Sequence, residues 1–175
     1  MEELTIIKAG LLGGIGEFIS DQSLSAVGAL VLLVVGKTDR SLISRHKRTR
    51  NDFIEEDYDL LCQVLEGFTE FQVTPNILTE ASNLVSQIGD PDRGRVLATL
   101  RGFIEGSREH YVPSTEAASI PSFPRLGLTD TATLAHVSYT GHVLTSDLDL
   151  YLEVSRAGHR AVNFNHIRQG SWSWG

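Results

Sequence analysis

Cysteine is almost missing from this chain of 175 residues: there is one, Cys62. A lone cysteine excludes an intrachain disulfide and any zinc site built on thiolates. Glycine (16) and proline (5) are too few for a collagen-like or low-complexity chain. Long apolar runs are lacking too. The longest, Ala26 to Val35, is about half of what a bilayer requires, so no transmembrane helix is expected. Positive charge is in short supply, with 15 Lys and Arg against 22 Asp and Glu and a net charge of −7. The opening Met1-Glu2-Glu3 lacks the positive start of a secretory signal, which argues for the cytoplasm.

What is present is ordinary for a folded domain. Hydrophobic residues make up 41% and charged residues 21%. The length fits one domain with a core large enough to need no staples. The apolar, glycine-rich segment 1–16 stands apart as an N-terminal arm, the domain is expected over 17–168, and 169–175 reads as a tail. The scarce positive charge is concentrated. Residues 37–50 (KTDRSLISRHKRTR) hold six of the 15 basic side chains, with Asp39 as the only acid. A basic strip on an acidic body fits a polyanion, with Arg45, Lys47, Arg48 and Arg50 as the candidate contacts. A solvated loop-helix face accounts for it equally well.

Strand and helix signals alternate along the chain. Strands are expected at 17–20 (EFIS), 71–73, 110–112, 142–145 and 161–164. A wholly apolar helix, and therefore a buried one, is expected over 23–35. Further helices are expected over 51–68, from the Thr74-Pro75 cap to about 88, over 92–105, from Thr129 to about 139, and over 148–156. Gly89-Asp90-Pro91 separates two of them. The alternation predicts βαβ units and an α/β fold. The expected architecture is a three-layer sandwich, with a central parallel sheet flanked by helices on both faces.

Sites in open parallel sheets lie at the carboxyl ends of strands. Four acids follow strand candidates: Asp21 after EFIS, Glu80 in the second turn of the next helix, Asp130 just inside the helix at Thr129, and Asp147 after HVLTS. Carboxylates gathered at one edge repel one another, and a hard divalent cation, magnesium or manganese, relieves that repulsion. Each acid also has a plain structural role open to it: Glu80 as a helix-surface charge, Asp130 as a dipole partner, Asp147 as a helix cap. Asp149 is a further ligand candidate. Thr145 is a candidate for orienting a ligand or water. The six histidines show no metal-ligand spacing, and Cys62 lies on an apolar helix face.

These stretches (FISDQS, TPNILTEASNL, LGLTDTATLA and VLTSDLDLYLEVSRAGHRAVNFN) resemble the PIN-domain family of metal-dependent ribonucleases. The resemblance spans roughly residues 17–166. It places Asp21, Glu80, Asp130 and Thr145-Ser146-Asp147 at the family's acidic positions in order. It implies an endoribonuclease using Mg2+ or Mn2+, a toxin or defence effector held by an antitoxin, and a homodimer. An alignment on ALVLLVVG instead puts the first acidic position near Ala26, where there is no acid, and Asp39 is a further stand-in. In that case the chain is a degenerate PIN module that binds RNA or a protein without cutting. A structure-specific DNA nuclease is the third reading.

Overall fold

The computed structural model describes residues 23–24, 27–66, 70–140 and 142–170. The expected arm, the EFIS strand and most of the tail lie outside them. The protein is α/β. Its five strands are β1 (Ser23–Leu24), β2 (Gln72–Val73), β3 (Arg108–Glu109), β4 (His142–Thr145) and β5 (Arg160–Asn163). All pair in parallel, in the order β3-β2-β1-β4-β5. Ser23 pairs with both Gln72 and Val143, so β1 is central although three strands have only two residues. The chain moves outward from β1 through β2 to β3, then returns to place β4 on the other side. That reversal defines a switch point between β1 and β4.

Eight helices and a 3-10 turn carry most of the packing among the described residues. They are α1 (Val27–Thr38), α2 (Glu55–Leu65), α3 (Pro75–Val85), α4 (Asp92–Glu105), α5 (Ser114–Ser119), α6 (Phe123–Thr140), α7 (Leu148–Arg156) and α8 (Phe164–Arg168), with the 3-10 turn at Arg40–Leu42. Helix α1 has no polar face. Ala29, Leu30, Val31, Leu32, Val34 and Val35 are all buried, as an all-apolar helix requires. It lies against α2, α3, α4 and β4. Leu61, Val64, Ile77, Ala81, Val85, Val96, Leu100 and Phe164 close the core around it. At Gly36 the Tyr58 ring occupies the space of a Cβ, so glycine sets how closely α2 approaches.

Two expected elements shift. The apolar run begins not as helix at Ser23 but as β1, and the helix starts at Val27. The third strand is Arg108–Glu109 rather than 110–112. His110 still donates its N–H to Val73 O at 2.8 Å before the chain leaves the sheet. Helix α6 breaks at Gly127 (φ 77°), a left-handed conformation that suits glycine. Cys62 is half-buried and free. No helix among the described residues is long and apolar enough to cross a membrane.

Candidate functional site

Three of the expected acids meet electrostatically beyond the carboxyl ends of the strands. Asp130 stands three residues past the Gly127 break, in α6. Burial pushes its carboxyl up to about 7, and the charges of Asp147, Glu80 and Asp149 push in the same direction. Desolvation disfavours the charged form, and like charges add to that. Glu80 comes from the middle of α3, which follows β2, Asp147 from the turn after β4, and Asp149 from the first turn of α7. The chain therefore delivers acids from both sides of the central strand to one neighbourhood. Such neighbourhoods at a switch point are where ligands bind in open parallel sheets.

The turn after β4 is tightly built. The Thr145 hydroxyl is buried and accepts the Asp147 N–H at 2.9 Å. Asp147 Oδ1 accepts the Leu150 N–H at 2.9 Å, so this acid caps α7. Ser146 O accepts from Asn165 Nδ2 at 2.8 Å, which ties the turn to the start of α8. A Cβ on Gly28 would stand 2.5 Å from Ser146 Oγ, so α1 begins in direct contact with this turn. Asp149 is exposed and pairs with Arg125 at 3.1 Å. Arg125, on the first segment of α6, also pairs with Glu153 and supplies a positive charge at the edge of the acidic group. The spacing of motifs did not single it out.

The first acidic position has a different outcome. Asp21 lies outside the described residues, and in the chain it precedes β1 rather than following it. Ser25 and Ala26 stand between β1 and α1, and neither is an acid. Asp39 is not a substitute. It lies beyond the far end of α1, about 18 Å of helix from the carboxyl edge of β1. There it caps the 3-10 turn, accepting from Ser41 N at 3.0 Å and Ser41 Oγ at 2.7 Å, and it pairs with Arg95. Those hydroxyl and amide bonds hold its carboxyl below the usual range.

The basic strip continues from Asp39 in the chain. Its inner face is structural: Leu42, Ile43, His46 and Thr49 are buried. His46 Nδ1 accepts the Arg48 N–H at 3.2 Å, so Nε2 carries the proton and donates to Val85 O at 3.0 Å. Burial lowers the His46 pKa, which suits this neutral state. Arg45 pairs with Asp92 at 3.0 Å and Arg48 with Asp52 at 3.7 Å. Lys47 and Arg50 are exposed and have no ionic partner among the described residues.

Beside the acids runs a cleft of about 340 Å³, between α3 and the segment linking β3 to α5. Glu80, Asn76, Thr79, Asn83 and Tyr111 line it, and Thr129 reaches it from α6. Behind it lies a buried polar group. The rings of His110 and His136 stack at 4.4 Å, and His136 Nε2 donates to Gln72 Oε1 at 3.1 Å. Burial lowers the His136 pKa to about 4, with the neighbouring His110 adding to the effect.

Among the described residues no group of three or more His, Cys, Asp or Glu side chains stands close enough to hold a metal ion. The donor chemistry nevertheless fits a hard divalent cation: all are carboxylate oxygens, and Asp130 is pushed up to about 7 by burial first and by the charges of Asp147, Glu80 and Asp149 after it. No family model matches the chain, and neither a curated protein nor a solved structure matches it.

Proposed function

We propose that the chain is a Mg2+- or Mn2+-dependent endoribonuclease of the PIN type. The observation that carries this reading is Asp130, a half-buried carboxyl raised to about 7 beside Asp147, Glu80 and Asp149. A strongly perturbed acid near a cleft is a functional-site candidate. In this reading the small parallel sheet is the middle layer of a three-layer PIN-like domain acting in the cytoplasm. Asp130, Glu80 and Asp147 are the residues that would hold the cation, with Asp21 as the fourth by sequence. When bound, the cation supplies Lewis acidity, acidifying water for attack on a phosphodiester and offsetting charge on the leaving oxygen.

The chain's own groups do the rest. Thr145 fixes the Asp147 backbone, and the α7 cap holds one Asp147 oxygen in place. Arg125 pairs with the exposed Asp149, which suits the latter to an outer charge rather than to a ligand. Lys47 and Arg50 are free to contact phosphates, which carry no sequence information. An inhibitory antitoxin and a second copy of the chain are the partners this reading brings with it.

The test is cleavage of single-stranded RNA with Mg2+ or Mn2+, lost on chelation and lost in Asp130→Asn. The identity of Ser25 and Ala26 favours a second reading, a degenerate PIN module that binds RNA without cutting it. Cation-independent binding with no cleavage in either metal would select that reading and reject the nuclease.

A further inference from the structure

We propose that the cleft beside Glu80 is a nucleobase pocket for single-stranded RNA, in which Tyr111 stacks on a base and the Asn76 and Asn83 amides hydrogen-bond its edge. The proposal rests on the ribonuclease reading for its choice of polymer, but the pocket is argued from its own chemistry. Tyr111 is 77% exposed. A single exposed aromatic is common on proteins, so exposure alone decides nothing. Three further features do.

The first is rigidity. Tyr111 stands between two anchored neighbours. His110 is tied to β2 through its backbone N–H at 2.8 Å and through its stack on His136. Val112 is buried in a small cluster with Ala117, Ala132 and Ala135. The backbone at 111 is thus fixed while the ring faces water, so little ordering cost remains when a flat ligand arrives.

The second is the opposite wall. Asn76, Thr79, Glu80 and Asn83 follow the i, i+3, i+4, i+7 spacing of one helix face, and all four line the cleft. The Asn76 and Asn83 side chains have no hydrogen-bond partner among the described residues. Each amide offers both donors and an acceptor, the complement of a base edge. The third is size and charge. About 340 Å³ lies at the small end of ligand sites, and Glu80 is the only charged side chain among the described lining residues. A lining whose described residues include no cation suits a base better than a phosphate. Glu80 is also shared with the acidic group, so a base held here places its backbone beside Asp130.

The test uses oligoribonucleotides with a single 2-aminopurine, whose emission is quenched on stacking, and the Asp130→Asn protein, so that no strand is cut. Tyr111→Ala, Tyr111→Phe and Asn83→Ala are compared on that background, with circular dichroism confirming the fold. The expected result is quenching with Tyr and Phe at 111. Tyr111→Ala should bind roughly 5- to 150-fold more weakly, the span of one lost base–aromatic stack. Asn83→Ala should change the preference among oligo-A, oligo-C and oligo-U. Equal affinity and equal emission for Tyr111→Ala overturn the pocket, and so does a failure to bind any oligoribonucleotide. Cleavage with Asp130 intact is scored separately. Cleavage insensitive to Tyr111→Ala rejects the pocket and keeps the nuclease. Tyr111-dependent quenching without cleavage keeps the pocket and rejects the nuclease.

Discussion

Replacing Asp130 by Asn should stabilise the protein at alkaline pH and leave it unchanged in acid. In the unfolded chain this carboxyl ionises near 3.8, whereas in the folded protein it does so at about 7. Between those values the folded state holds a proton that the unfolded state has released. Stability from this group is therefore complete below about 3.8, falls as pH rises toward 7, and then levels off. The gap corresponds to at most about 4 kcal/mol. Asp130 is only half-buried, and water reaching it screens the repulsion, so we expect about 2 kcal/mol. Asn has the shape of the protonated acid and cannot ionise. Urea unfolding without divalent cations should show Asp130→Asn more stable than its parent by about 2 kcal/mol at pH 8, and equal to it at pH 4. In thermal scans that is roughly 4–8 °C. Taking the difference between the two proteins is essential, because His136 titrates over nearly the same range with the opposite sign. Adding Mg2+ should stabilise the parent and not the variant. A variant less stable than its parent at pH 8, or a difference that does not change with pH, would refute the account of a strained carboxyl.

Four further outcomes are expected. The His136 imidazole, lowered to about 4, should show no NMR titration between pH 8 and 5, and its contribution to stability should be lost only as pH falls below about 6.5 toward 4. Arg168 donates to both oxygens of Asp57 at 2.8 Å and to Asp52 O, and its guanidinium lies 5.0 Å from the centre of the Phe53 ring. Arg168→Ala should cost roughly 2–3 kcal/mol in urea unfolding, and Arg168→Lys should recover little, because an ammonium cannot form the fork. Gly28→Ala should destabilise by about 1 kcal/mol, and Ser146→Ala in the same chain should erase the loss, since only the Ser146 hydroxyl obstructs the new Cβ. If RNA phosphates reach the basic strip, Lys47→Ala with Arg50→Ala should reduce the salt slope of RNA binding by roughly 1.4, equally for all sequences, and an unchanged slope would remove the strip from the RNA path.

Much of the helical architecture was legible because its stop signals are chemical. Thr74-Pro75 opens α3, with Thr74 Oγ1 accepting the Ile77 N–H, and Gly89-Asp90-Pro91 separates it from α4 at Asp92. Strand β4 and helix α7 fall where alternation and the Asp147 cap place them. The start of the central strand was not legible. In SLSAVGALVLLVV every position suits burial, and a two-residue strand has no period to read. Likewise β3 consists of the exposed Arg108 and Glu109, which carry no apolar signal, while the apolar residues after it serve as anchors. The short helices α5 and α8 fall below the length at which a helical period is visible. At the site, strand-end positions pointed to Glu80, Asp130 and Asp147. Neither the burial of Asp130 nor the places of Arg125 and Tyr111 follow from spacing, since they depend on the break at Gly127 and on where β3 ends.

The all-apolar character of α1 also governs how the chain reaches its fold. Its neighbours α2, α3 and α4 are made soon after it, but β1 and α1 also need β4, near the other end of the described chain. Contacts of such separation form late and slowly. Until His142–Thr145 has been synthesised, Leu30 to Val35 have no complete cover, and exposed apolar surface of this kind invites aggregation or chaperone capture. A nascent chain of this protein is therefore vulnerable until β4 has been made, and any fragment ending before β4 carries that liability permanently.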